Sequence, residues 1–208
     1  MRKVLFGLLM LGVAGGLLAQ TVVGTPHDMS AAEPNTEICV FCHTPHGAVP
    51  DVPLWNHNLS AQTYTAYDSV TMDATDNANW AGNNGSISGM CMACHDGTIG
   101  LGALVNNGPL GAPTNAATTM GAVTANLGTD LTNDHPVVFS YNAALVAADG
   151  ELNAVPVGGF ANGVQLFGAL GVTMECASCH DVHNTPGAAP FLVTTNAGSA
   201  LCLTCHIK

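Results

Sequence analysis

Four times the chain repeats one five-residue pattern: Cys39-Val-Phe-Cys42-His43, Cys91-Met-Ala-Cys94-His95, Cys176-Ala-Ser-Cys179-His180 and Cys202-Leu-Thr-Cys205-His206. Together the four use all eight cysteines. Paired cysteines permit disulfides, and CxxC pairs permit zinc ribbons or thiol redox chemistry. The histidines decide between these. With nine histidines in 208 residues, four pairs each followed by one would arise by chance about three times in a million. Cys-x-x-Cys-His is the attachment signature of c-type haem. Both thiols become thioethers on the haem vinyl groups, and the neighbouring imidazole takes one axial position on the iron. The expectation is four covalently attached haems, with His43, His95, His180 and His206 as proximal iron ligands.

Haem in that quantity accounts for the composition. Charged residues are 8% of the chain and aromatics 5%, against roughly 25% charged in ordinary soluble domains. With 24 glycines and few bulky side chains, a layered core is hard to build, and flat porphyrins supply the interior instead. The fold class expected is therefore a mostly irregular, haem-organised multihaem cytochrome c. Its helices are short and sit at the CxxCH motifs. Strands are few and short, with one expected within Pro136–Tyr141, and the haem stack is the core. Three Lys and Arg in the whole chain exclude a basic nucleic-acid-binding face.

Two of those three cations open the sequence. Met1-Arg2-Lys3, the apolar Val4–Leu18 and small Ala19 have the form of a secretory signal peptide, residues 1–19. The run falls short of the ~20 apolar residues that a spanning helix needs, and no membrane span is expected. Its removal leaves Lys208 as the only Lys or Arg against 14 carboxylates. Residues 20–208 then form a single tetrahaem domain. The first and third motifs each append a histidine, giving His43-Thr44-Pro45-His46 and His180-Asp181-Val182-His183. The second and fourth each follow a Gly-Ser pair, Gly85-Ser86 and Gly198-Ser199. This A-B-A-B order suggests two diverged two-haem units, about 27–100 and 130–208. Between them, Leu101 to Gly128 carries no charge. It reads either as a linker or, as we favour, as an irregular loop draped over haem faces.

Five further histidines can complete the irons: His27, His46, His57, His135 and His183. His46 and His183 follow a proximal histidine by three residues. A chain tethered to one face of a ring cannot reach its other face so soon, so each is expected to serve a neighbouring haem. His135 is held by Pro136, and His27 lies just before the first motif. The distal set expected is His27, His46, His135 and His183, with His57 as the spare. Methionine is the alternative ligand type, through Met29, Met72, Met120 or Met174.

His27-Asp-Met-Ser, Glu37-Ile-Cys-Val-Phe-Cys-His-Thr-Pro-His-Gly47, Pro53-Leu-Trp-Asn56, Cys91-Met-Ala-Cys-His-Asp-Gly-Thr98, Asn126 to Pro136 and Leu201-Cys-Leu-Thr-Cys-His206 together resemble the doubled-CxxCH cytochromes. In particular they resemble the extracellular tetrahaem filament cytochromes of the OmcE type. The resemblance spans nearly all of residues 20–208. It implies bis-histidine haems stacked in alternating parallel and T-shaped pairs, and head-to-tail assembly into a conductive filament for respiratory electron export. It also implies that His46 ligates the last haem of the neighbouring subunit.

The function expected is electron transfer without catalysis, since an iron with two histidines has no open position for substrate. Partners expected are copies of the chain itself, upstream periplasmic or outer-membrane cytochromes, and extracellular electron acceptors. The location expected is the cell surface or an extracellular filament, with the periplasm as the alternative. Two other readings stand beside this one. The first is a periplasmic or cell-surface tetrahaem shuttle that does not polymerise. The second is a haem enzyme, such as a nitrite or hydroxylamine reductase, which needs one iron with an open position.

Overall fold

The computed structural model describes residues 22–32, 37–50, 52–77, 85–183 and 188–207. The proposed signal peptide and Lys208 lie outside them. Regular structure is sparse, as so much glycine and so few bulky residues dictate. The longest helix is α1, Ile87–His95, which carries the second motif in its C-terminal half. Ser86 caps it by accepting from the Gly89 N–H at 3.0 Å, supplying one of the acceptors a first helical turn lacks. Helix α2, Ala143–Asp149, starts on the Asn142 side chain, which accepts from Ala144 and Leu145 N–H. It ends at Gly150, whose φ of 73° permits the left-handed stop.

The remaining helices are single turns dictated by the motifs. Helices α3, Cys176–Cys179, and α4, Cys202–Cys205, each end on the motif histidine, which is extended. The first motif lies on a 3₁₀ turn, Ile38–Phe41. In each of these the histidine N–H bonds back to the carbonyl of the first cysteine: His43 to Cys39 at 2.8 Å, His180 to Cys176 at 3.0 Å and His206 to Cys202 at 2.9 Å. One closed turn puts both cysteines on the same face, three residues apart, and swings the histidine away from them.

Strand β1, Phe139–Ser140, pairs antiparallel with β2, Thr173–Met174, with Phe139 opposite Met174. It falls inside the segment expected to be extended. Two small apolar clusters flank this ribbon. Tyr64, Met92, Leu131 and Val138 form one, and Phe139, Tyr141, Leu145 and Met174 form the other. Each joins a motif helix to the ribbon rather than building a layer. Among the described residues no helix is long and apolar enough to cross a membrane.

The uncharged segment after Leu101 is an ordered loop that returns to the second motif. Leu101 N–H donates to Thr118 O at 2.9 Å, and Leu127 N–H donates to His95 O at 2.8 Å. The hairpin this requires is tight. A Cβ on Gly100 would lie 1.9 Å from the Ala116 carbonyl oxygen, so only glycine fits there. The linker reading therefore fails, because the loop closes over His95.

Candidate functional site

The four motifs form a contiguous row. Cys42 lies near enough to Cys94 to disfavour its thiolate. Cys91 on α1 hydrogen-bonds Cys176 on α3. Cys179 in turn lies close to Cys205 and Cys202. Neighbouring motifs thus approach one another in sequence order, with a direct thiol–thiol hydrogen bond between the second and the third.

Their environment is that of unreactive thiols. Burial, helped by Cys39, pushes Cys42 up to about 11. Burial, with Cys42 and Asp96, pushes Cys94 up to about 12. Burial also raises Cys179 to about 11 and lifts Cys205. Only Cys176 is lowered, because the Cys91 thiol donates to it. A redox-active CxxC needs one depressed, accessible thiol, and the second cysteines of these motifs are pushed the other way. A thioether, which has no proton to lose, suits such sites. All eight cysteines are free of disulfides. Among the described residues no group of three or more Cys, His, Asp or Glu could hold a metal ion, as a zinc ribbon would require.

The histidines meet in pairs. His27 faces His95 with ring centres 6.1 Å apart and planes at 53°. His183 lies parallel to His43 at 6.4 Å and 8°. His135 faces His206 at 6.3 Å and 77°. Two imidazoles on one metal ion stand about 6.2 Å apart, from metal–nitrogen bonds of about 2.0 Å and about 1.1 Å from each nitrogen to its ring centre. In all three pairs one member is a CxxCH histidine. The residues present therefore fit bis-histidine iron at three of the four motifs.

Hydrogen bonds support the same fit. Nδ1 contacts a backbone oxygen in His95 (Ala125, 2.8 Å), His135 (Pro136, 2.9 Å) and His180 (Pro190, 3.1 Å). Donation from Nδ1–H leaves the Nε2 lone pair for a metal, the usual arrangement of metal-bound histidine. His27 has a buried Nδ1 without any partner, and burial, then His95 and His183, lowers its pKa. A buried imidazole facing a second one at ligand spacing, with one nitrogen unpartnered, fits an axial ligand of iron.

Two histidines lie outside these pairs. His57 is 1% exposed, with Nδ1 2.9 Å from Asn58 O, and Nε2 3.0 Å from Gly100 O and 3.6 Å from Cys94 Sγ. A neutral imidazole donates to only one of the two carbonyls. His46 is exposed and its ring has no partner among the described residues. His180 likewise faces no second imidazole there. Within the chain the last motif's His206 already faces His135.

Some residues that shape the row carried no assignment in the sequence. Asn56 is fully buried. It donates to Val40 O at 2.7 Å and Asn106 O at 2.8 Å, and accepts from Asn106 N–H at 2.8 Å, fixing the first motif to the loop. Glu175 and Ser178 cap α3 reciprocally, a three-residue spacing that a capping search would find. Asp96 follows His95 directly and accepts from Tyr64 OH at 2.9 Å and Ser60 OH.

Residues 171–208 match the doubled CXXCH motif. The match covers the third and fourth CxxCH sequences and nothing further toward the N-terminus. It indicates covalently bound c-type haem and, with it, an electron-transfer protein. No curated protein matches the chain.

Proposed function

We propose that the chain is an exported electron-transfer cytochrome carrying four covalently attached c-type haems in one row. In this reading, copies join head to tail as an extracellular conductive filament. The observation that carries it is the set of three histidine pairs at ligand spacing, each including a CxxCH histidine, on motifs that approach one another in sequence order. Bound haem supplies a one-electron Fe(III)/Fe(II) couple, and the polypeptide spaces the sites and sets their potentials.

His27 with His95, His183 with His43 and His135 with His206 are the distal and proximal pairs. Each distal histidine comes from far along the chain, so ligation ties the first motif to the third and the fourth to the segment before β1. His180 takes its second ligand from His46 of an adjacent copy. Such a donor–acceptor contact between unlike sites, where it is heterologous and does not close, generates filaments. A coordination bond there offsets repulsion between chains that, without residues 1–19, carry one Lys against 14 carboxylates, a formal charge of 1 − 14 = −13. Upstream periplasmic or outer-membrane cytochromes feed the filament, and extracellular acceptors drain it.

His46→Ala in the secreted protein tests the reading. Intact mass should still show four haems, while electron microscopy of material sheared from the cell surface should show no filaments. Normal filaments from this variant would sink ligation by His46. A native mass short of four haems would sink the tetrahaem reading. Four haems without filaments from the unmodified protein would leave the shuttle.

A further inference from the structure

Two carboxylates are buried beside the second motif. Glu175 is 5% exposed and Asp96 is 4% exposed. Glu175 accepts from Ser88 N–H at 3.0 Å and from Ser88 OH, both on α1, and from the Ser178 N–H on α3. Asp96 accepts from Ser60 OH, Tyr64 OH, Thr98 OH and Thr98 N–H. Every partner is a donor, the set that an ionised carboxylate needs. A buried anion is ordinarily paired with a cation. Here Lys and Arg occur only at positions 2, 3 and 208, so the described residues contain none.

The two groups differ in what they reach. Asp96 directly follows His95. Glu175 directly precedes Cys176 and hydrogen-bonds the helix that carries Cys91 and Cys94, so it borders both the second and third motifs. A nearby uncompensated negative charge favours Fe(III) over Fe(II). At roughly 10 Å and an effective dielectric constant of about 20, one charge is worth about a factor of ten.

We propose that Glu175 and Asp96 make the haem on Cys91 and Cys94 the lowest in reduction potential of the set, the haem on Cys176 and Cys179 having only one buried carboxylate, Glu175, beside the more exposed and better screened Asp181. This rests on the four-haem reading above. The site hardest to reduce then lies inside the row and not at either end, and it is the polypeptide's buried charge that puts it there.

The test is a potentiometric titration of the purified holoprotein, with haem-methyl NMR identifying each haem. Glu175→Gln keeps size and acceptor but removes the charge. It should raise the second and third haems by about tenfold in reduction constant, about 59 mV for one electron. Asp96→Asn should raise the second alone by a similar factor. Ser88→Ala keeps the Glu175 charge and the N–H donors but deletes the hydroxyl donor, so it should lower the second haem. A merely structural role for Glu175 would move Glu175→Gln and Ser88→Ala in the same direction. The inference is overturned if another haem is lowest in the native protein. It is also overturned if Glu175→Gln and Asp96→Asn leave the second haem within twofold. If Glu175→Gln fails to take up haem, Asp96→Asn and the native ranking still decide. Fewer than four haems in the native protein would instead count against the proposed function.

Discussion

The first and third motifs carry the same extended signature, C-x-x-C-H-x-x-H, and use its last histidine in opposite ways. His183 folds back across the molecule and lies parallel to His43, 6.4 Å away. His46 stands on the surface with its ring unengaged. The local backbone explains the contrast. After His43, Pro45 turns the chain outward, and the His46 carbonyl is tied down by Thr44 OH at 2.7 Å and Asn106 Nδ2 at 2.9 Å. After His180, the Asp181 carboxylate accepts from His183 N–H at 2.9 Å and holds it in a tight turn. One motif therefore serves its own chain, and the other is presented outward. The same four-residue spacing thus ends in two different local structures, set by the loops around it.

The largest effect that can break this contrast is loss of a motif. Replacing Cys176 and Cys179 by Ala should remove one haem by intact mass and, because His183 rides on that motif, also leave a high-spin iron at His43. Replacing Cys39 and Cys42 should remove one haem without disturbing the in-chain ligands of the others. Equal spectra from the two variants would erase the asymmetry.

Single ligands come next. His183→Ala should convert one haem in four to high spin in the electronic spectrum, whereas His57→Ala should convert none. A high-spin signal from His57→Ala would show that this buried histidine, which lies against Cys94, serves an iron.

Effects on stability should be smaller and of the packing kind. Asn56→Ala leaves Val40 O, Asn106 O and Asn106 N–H without their partner in a buried site. Desolvation penalties of this sort put the loss at about 3 kcal/mol, measured as a lowered denaturation midpoint with haem content unchanged. No measurable loss would mean that the first motif is held by haem ligation alone.

The smallest effect sharpens the comparison most finely. Asn106→Ala frees the His46 carbonyl and should weaken assembly about fivefold, the equivalent of one hydrogen bond of about 1 kcal/mol. Asp181→Ala, the matching change beside His183, should leave assembly untouched. Sedimentation of both variants against the native protein checks this.

Much of the chemistry was legible in the sequence because it is local. Two cysteines and a histidine within five residues specify covalent haem whatever surrounds them, and the motif turns take the form that spacing demands. The extended stretch before Tyr141 and the scarcity of regular structure were also readable, from composition and from the valines preceding Phe139. What could not be read is long-range. Nothing near His183 announces that it faces His43, 140 positions earlier in the numbering. Nor does Glu175 announce Ser88, or Asn56 announce Asn106. The pairing of His135 with His206 is of this kind. The uncharged loop is the converse case: composition alone suits a linker, and only its fold over His95 shows otherwise.

The central claim is that one iron per chain, at His180, is completed by His46 of a neighbour. The most direct measurement follows the spin state of the unmodified protein as filaments are dissociated into single subunits. Low-spin spectra from all haems in the filament, and one high-spin haem per chain at the Cys176–Cys179 site once subunits separate, are the result the account predicts. Isolated subunits in which all four haems stay low-spin would contradict it.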